Sequence, residues 1–158
     1  MYRVLPFFLL SLIIRAQVSA PVLDKPPQDI DDALRARITQ FYDLALAPSG
    51  LLITQFTLLA TLAQTTPIMI NRLAEIMVMD RTTLTRNLRP LTIQGLVWIE
   101  EGEDRRTHLV LLTRAGEQAM LRAFPLWKEA QSRIVRALGQ ERFDHLLTDL
   151  SAVLASTR

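Results

Sequence analysis

The residues of this chain that are best suited to binding a partner lie in one stretch, "MDRTTLTRNLRPLTIQGLVWIE", residues 79–100. It carries three arginines, Arg81, Arg86 and Arg89, among four threonines and regularly spaced leucines. Guanidinium groups donate paired hydrogen bonds to phosphates and guanine edges, and threonine side chains suit phosphates or thymine methyls. Residues 81–99 contain no acidic side chain, so the stretch favours a polyanionic partner.

A helix that begins after Asp80 would sort these side chains onto two faces, with the Asp80 carboxylate capping its first turn. At about 100° per residue, Leu84, Leu88 and Leu91 form a narrow stripe that would anchor the helix in a core. The alternative is an ordinary solvated face, but such a face usually pairs its bases with glutamates, and this one has none. Thr82, Arg86 and Arg89 project opposite the stripe, Thr83 flanks them, and Arg81 and Thr85 lie at its border.

Composition argues against an enzyme, a cofactor and a metal site. The chain has no cysteine, and its two histidines, His108 and His145, are not clustered. The adjacent acids at 31–32 and 100–101 would point apart on a helix or strand. Neither a nucleophile with its base nor a glycine-rich phosphate loop is recognisable. The sequence therefore predicts a binding protein.

The length, hydrophobic content and net charge fit one compact domain that could bind nucleic acid. At 158 residues and 49% hydrophobic content there is enough apolar material for a core. The net charge is only +2, although the pI is near 9.5. Such a balance permits a nucleic-acid partner without requiring one, so the distribution of charge has to decide.

Residues 1–28 form an apolar arm and a proline-rich linker. The apolar run Val4–Ile14 resembles a secretory signal peptide, which would make the chain an exported helical interaction protein. The run is too short to span a bilayer, and Arg15 and Pro21 both disfavour cleavage. The other interpretations are an apolar arm buried in a dimer and a misplaced start codon. We expect a cytoplasmic protein without a membrane partner.

Between the linker and Leu96 the sequence predicts four helices. One covers about 29–47 and ends at "APSG", and a second, capped by Thr54, ends at "TTP". A short third helix covers about Ile70–Met77, and the Asp80 helix follows it directly. A short helix, a tight turn and a second helix are typical of a helix-turn-helix.

At Leu96 the spacing of the apolar residues changes from a helical period to short strand-like runs. The strand-like runs "LVWIE" and "THLVLL" are joined by a charged tip at 101–106 and predict a two-stranded hairpin. Thr113 then caps a long helix that Pro125 should kink, and Gly139 separates it from a last amphipathic helix. The predicted fold is mainly α (α+β), a single domain over 29–158. It comprises a winged helix-turn-helix (51–112) with a two-stranded β-hairpin wing, flanked by N- and C-terminal dimerisation helices (29–50 and 113–158).

This arrangement predicts double-stranded DNA as the partner. The Asp80 helix would lie in the major groove, where Arg86 and Arg89 reach guanine edges or phosphates. The hairpin tip would enter an adjacent minor groove through Arg105 or Arg106. Asp104 would repel phosphate there, so we expect it to hold a neighbouring arginine in place.

These segments resemble the MarR family of dimeric bacterial transcription regulators over about residues 29–156. The most specific match is "MDRTTLTRNLRPL" followed by "GLV" and then by "LTRAG". The resemblance implies a homodimeric repressor that binds an inverted repeat. It also implies DNA contacts from Arg81, Thr82, Thr83, Thr85 and Arg86, and wing contacts from Asp104 and Arg106.

Three features depart from the family pattern. Val78 stands in the turn where the family usually has glycine, and a β-branched residue resists positive φ, so we expect another turn geometry. Glu103 stands where the wing often carries arginine, which should weaken its contact with phosphate. The apolar first twenty residues match nothing expected of the family.

The terminal helices predict a homodimer. The segments before Leu44 and after Thr113 carry more apolar surface than an isolated winged helix needs. They would bury it against a second copy, although packing within one chain is the alternative. A two-fold dimer would present two recognition helices about one DNA turn apart.

In the family, a small and often aromatic ligand binds between the dimer helices and the DNA-binding lobe and releases DNA. A thiol-based switch is excluded here because the chain lacks cysteine. Two alternatives remain: a ligand binds directly and changes DNA binding, or the protein has no effector. Each candidate for lining such a pocket could equally be a core residue: Phe41, Tyr42, Phe56, Trp98, Phe124 and Trp127.

Overall fold

The computed structural model describes residues 28–102 and 107–156. This part of the chain is mainly helical and carries a small antiparallel sheet, as the sequence predicted. The elements follow in the order α1 (Gln28–Leu46), a 3-10 turn (Ala47–Ser49), α2 (Ile53–Thr65), β1 (Ile68–Met69), α3 (Ile70–Met77), α4 (Arg81–Ile93), β2 (Val97–Glu101), β3 (His108–Leu112), α5 (Arg114–Leu138) and α6 (Gln140–Ser156).

Two predicted segments lie outside the described residues. The apolar arm and its linker occupy residues 1–27, so the signal-peptide, dimer-arm and start-codon interpretations all stay predictions. The tip of the wing occupies residues 103–106.

The predicted hairpin is confirmed, and a third strand adds to it. β2 and β3 pair antiparallel from Val97 with Leu112 to Glu101 with His108. β1 pairs with the other edge of β3, giving the strand order β1-β3-β2. With two residues, β1 is too short to show an alternating pattern in the sequence.

The leucine stripe of α4 lies in the core, as its spacing predicted. Leu84, Leu88 and Leu91 are each 0% exposed, and α4 packs against α2 and β2. Full burial of one leucine side chain contributes roughly 1.5–3 kcal/mol relative to exposure. The stripe therefore holds α4 on the domain and fixes which of its side chains face outward.

The start of α2 differs from the prediction. Thr54 does not cap this helix, because Leu52 occupies the cap position. The Ile53 N–H donates to Asp43 Oδ1 at 2.7 Å, and the Leu52 N–H donates to Gln55 Oε1 at 3.0 Å. A carboxylate from α1 thus satisfies a donor that local sequence would leave without a partner.

The turn between α3 and α4 also corrects a prediction. Val78 adopts the left-handed conformation, with φ 51° and ψ 48°, despite its branched Cβ. This conformation costs about 1–2 kcal/mol for an L-residue. Two hydrogen bonds close the turn, from the Val78 N–H to Glu75 O at 3.2 Å and from the Met79 N–H to Ala74 O at 2.9 Å. They support the geometry that the family usually obtains with glycine.

α5 begins where the sequence predicted and lies tightly against the hairpin. Thr113 Oγ1 accepts from the Gly116 N–H at 3.0 Å. A Cβ atom on Gly116 would overlap the Leu96 carbonyl oxygen and lie 2.8 Å from Leu112 Cδ1. The glycine of "LTRAG" is therefore needed for the close approach of α5 to the wing. The helix continues through Pro125 to Leu138.

Across residues 28–102 and 107–156, no single helix combines the length and apolarity needed to cross a bilayer. One bent pair, Ala36–Ser49 with Ile53–Thr65, meets the length and composition limits only when both members are counted together. The second member is mostly core, since Phe56, Leu58 and Leu59 are each 0% exposed.

Candidate nucleic-acid interface

The N-terminus of α4 is closed by its own side chains. Asp80 Oδ1 accepts from the Thr83 N–H at 2.9 Å, and Asp80 Oδ2 accepts from the Thr83 hydroxyl at 2.6 Å. The Thr83 hydroxyl and then its backbone N–H hold the pKa of Asp80 below its ordinary value. The predicted cap is confirmed. Because the Asp80 carboxylate is ionised at neutral pH, it repels phosphate from the N-terminus of α4.

This cap gives a direct prediction for Thr83→Val, which removes the hydroxyl and keeps the side-chain shape. We expect the pKa of Asp80 to rise towards its ordinary value, as followed by NMR titration of the side-chain carboxyl. Since folding lowers this pKa, the carboxylate stabilises the fold above its ordinary pKa. That contribution is lost as pH falls through the lowered value.

Thr85→Val is the matched control, because the Thr85 hydroxyl donates to Arg81 O rather than to Asp80. It should leave the Asp80 titration unchanged. An Asp80 pKa that stays low in Thr83→Val would show that the hydroxyl does not hold the cap.

The outward face of α4 carries uncompensated positive charge. Arg81, Arg86 and Arg89 are all exposed, and none forms an ion pair within the described part of the chain. Arginines near an acid do pair here, as Arg72 does with Glu75 at 2.6 Å. The three charges therefore repel one another in the free protein, and a polyanion would relieve that repulsion.

The threonines of α4 differ in ways that their spacing did not reveal. Thr82 is exposed, and its hydroxyl makes no hydrogen bond within residues 28–102 and 107–156. Thr83 is half-buried and its hydroxyl belongs to the cap. Thr85 is exposed, but its hydroxyl donates to Arg81 O at 2.8 Å. Their contacts with DNA stay predictions.

Sequence reasoning missed one exposed side chain in line with these residues. Ile93 is 77% exposed and follows Thr82, Arg86 and Arg89 along the same helix face. The same 3.6-residue period that placed the arginines would have placed it there.

The described part of the wing ends at the base of its tip. The last described contacts before the tip are the pairing of Glu101 with His108 and the Gly102 N–H donating to Thr107 O at 2.9 Å. The charged side chains lie beyond, outside the described residues. The predicted roles of Asp104, Arg105 and Arg106 therefore stay predictions.

Three of the six aromatic candidates for a ligand pocket are core residues. Tyr42, Phe56 and Trp127 are at most 2% exposed, and the Phe56 and Trp127 rings stack with centroids 5.8 Å apart. The Tyr42 hydroxyl donates to Gln131 Oε1, and burial raises the pKa of Tyr42 to about 12. The burial of these three side chains favours a role in the core over a role in lining a ligand pocket.

The other three aromatic candidates lie in different surroundings. Phe124 is half-buried and its ring lies 5.8 Å from that of Trp127. Phe41 is half-buried beneath the Arg133 guanidinium, which is 5.2 Å from its ring centroid. Trp98 is 59% exposed, because it alternates with the buried Val97 on β2. The six side chains therefore do not line one common surface.

Known proteins share both the sequence and the fold. The MarR family model matches residues 51–108. The transcriptional regulator MosR of M. tuberculosis, solved in complex with DNA, is 32% identical. The match covers 85% of this chain and 99% of that chain, with a TM-score of 0.71.

Two further structures are similar. A MarR-family transcriptional regulator from Silicibacter pomeroyi is 29% identical, over 79% of this chain and 88% of that chain, with a TM-score of 0.60. The S. aureus MepR–DNA complex is 18% identical over 84% and 99%, with a TM-score of 0.73, which shows the fold alone. A comparison with curated proteins found no match.

The comparisons agree with the geometry of α3, α4 and the hairpin. A helix-turn-helix with a wing, an exposed arginine face and similarity to a family of transcriptional regulators make this protein a DNA-binding transcriptional regulator rather than an enzyme. At 32% identity over nearly the whole of one such regulator, the chain belongs to the MarR family.

Proposed function

We propose that this protein is a cytoplasmic repressor that binds an inverted repeat in DNA as a homodimer. The observation that carries the proposal is the apolar surface exposed on the terminal helices. Leu34 and Leu44 on α1 are 56% and 69% exposed, Leu138 at the end of α5 is 37% exposed, and Leu146 on α6 is 45% exposed. Packing among residues 28–102 and 107–156 leaves these side chains exposed, which supports a second copy as their partner.

A two-fold axis through the terminal helices would present two copies of α4 to one duplex. The half-sites would then be related by the same axis and lie about one helical turn, ~34 Å, apart. In each half-site Arg86 and Arg89 would contact guanine edges or phosphates. Arg105 or Arg106 would enter the minor groove, and Asp104 would hold a neighbouring arginine. Occupation of a promoter by the dimer would block transcription.

Release of DNA by a small aromatic ligand is the second part of the proposal. Phe41 and Phe124 keep exposed surface, so a ligand could contact them without unpacking the core. Tyr42, Phe56 and Trp127 could be reached only by displacing buried neighbours. Trp98 is exposed too, but it lies on β2 of the wing, whereas Phe41 and Phe124 lie on α1 and α5. Phe41 and Phe124 are therefore the first positions to test with candidate ligands.

Selection of bound sequences from random duplex DNA tests the proposal, together with light scattering of the free protein. We expect a palindrome with half-site centres one DNA turn apart, and the mass of a dimer. Leu44→Asp should yield a folded monomer with much weaker binding, because Leu44 is 69% exposed and contributes little to the protomer core. A monomeric wild type, or selected sites without a repeat, would contradict the proposal.

A further inference from the structure

The threonines of α4 differ in what their hydroxyl groups still offer to a partner. A hydroxyl has one hydrogen to donate and two lone pairs to accept with. Thr83 donates its hydrogen to Asp80, and Thr92 donates to Leu88 O at 3.0 Å. Both are half-buried, so neither presents a hydroxyl freely to the groove. Thr82 and Thr85 are the exposed pair.

Thr85 presents a methyl group and an acceptor, but no donor. Its hydroxyl hydrogen is used in the 2.8 Å bond to Arg81 O. Phosphate oxygens and the guanine N7 and O6 atoms are acceptors, so they do not match what remains exposed. The matching groups in the major groove are the thymine methyl and the exocyclic amino groups of adenine and cytosine.

We propose that Thr85 determines specificity by selecting an A·T pair in each half-site, with its methyl group against the thymine methyl. An A·T pair offers both a methyl group and an amino donor, whereas a C·G pair offers only the amino donor. Thr85 lies in the first half of α4, the part of a recognition helix that contacts base edges. The inference rests on the proposed placement of α4 in the major groove.

Thr82 provides the contrast within the same helix. It is exposed, and its hydroxyl hydrogen is not used within the described residues. A hydroxyl that can donate suits a phosphate oxygen, and phosphate contacts carry no direct information about sequence. Thr82 therefore contributes to affinity for all sequences, and Thr85 to the choice of base.

The test uses the duplex selected by the wild-type protein, with each thymine in turn replaced by deoxyuridine, which removes only the methyl group. We expect one position per half-site at which uracil weakens wild-type binding by about fourfold, the effect of one buried methyl. Thr85→Ser keeps the hydroxyl and should bind thymine and uracil duplexes alike at that position. Thr85→Val keeps the methyl and should still prefer thymine.

Thr82→Val is the matched control. It should weaken binding to every duplex by the same factor and retain the thymine preference. Equal wild-type affinity for all uracil duplexes, or an undiminished thymine preference in Thr85→Ser, would overturn the assignment of Thr85. Failure of the proposed function is distinguishable, because the wild-type protein would then select no repeat at all.

Discussion

Replacing Arg86 with alanine is expected to lower the affinity of the dimer for the inverted repeat by about 10- to 100-fold for each half-site, because each protomer loses one bidentate contact to a base or phosphate. Arg86 is exposed on the side of α4 opposite its buried leucines, and it makes no ion pair within the described residues. The substitution therefore removes an interaction with DNA and leaves the contacts within the protein intact.

Fluorescence anisotropy titrations over a series of salt concentrations measure this effect. Each phosphate contact adds roughly 0.9 to the slope of log K against log salt concentration. Arg86→Ala removes one contact from each protomer, so the slope for the dimer should fall by about two. Arg122→Ala, an exposed arginine on α5, is the control and should change neither quantity. An unchanged salt slope in Arg86→Ala would refute the contact assignment.

The second large effect is expected from Leu88→Ala, which should lower the free energy of unfolding by about 2–5 kcal/mol. Leu88 is 0% exposed, and its truncation leaves a cavity where α4 packs on the core. DNA binding should weaken in parallel, because the helix that carries the arginines loses part of its anchor. Urea denaturation followed by circular dichroism measures the change.

Ile93→Ala is the matched control for Leu88→Ala. It truncates an aliphatic side chain on the same helix, but one that is 77% exposed, so stability should change by no more than about 0.5 kcal/mol. Similar losses in the two variants would contradict the orientation of α4, because both of its faces would then be equally buried.

Features that depend on local sequence were predictable. The leucine period of α4 and the Asp80 and Thr113 caps arise from residues within a few positions of one another, and the β2–β3 hairpin joins two consecutive strands. The arginine face followed from the same period, since burial of one stripe determines what lies opposite. These elements position the predicted interface.

Features that depend on distant residues were not predictable. The cap of α2 comes from Asp43, ten residues before Ile53, and β1 exists only because β3 offers it an edge. Val78 was expected to avoid positive φ, yet hydrogen bonds around the turn hold it there. At the start of α2 and at β1, contacts between elements outweigh the preference of the local sequence. At Val78 the backbone hydrogen bonds that close the end of α3 do so.

The chemistry of the interface was only partly predictable. Spacing placed Thr82 and Thr85 beside the arginines but could not show which hydroxyl hydrogen was already used. Aromatic side chains at helical spacing likewise did not separate core from exposed positions, as the contrast of Trp127 with Trp98 shows. Both distinctions require the packed structure.

The distance between the two copies of α4 tests the central claim most directly. Because the chain has no cysteine, Gln94→Cys provides one site per protomer for a spin label, at an exposed position at the end of α4 and away from the line of its arginines. Pulsed dipolar spectroscopy of the DNA complex should give one main distance near a single DNA turn, ~34 Å. A complex with no dipolar coupling, or with a distance that cannot place both helices in successive major grooves, would contradict the account.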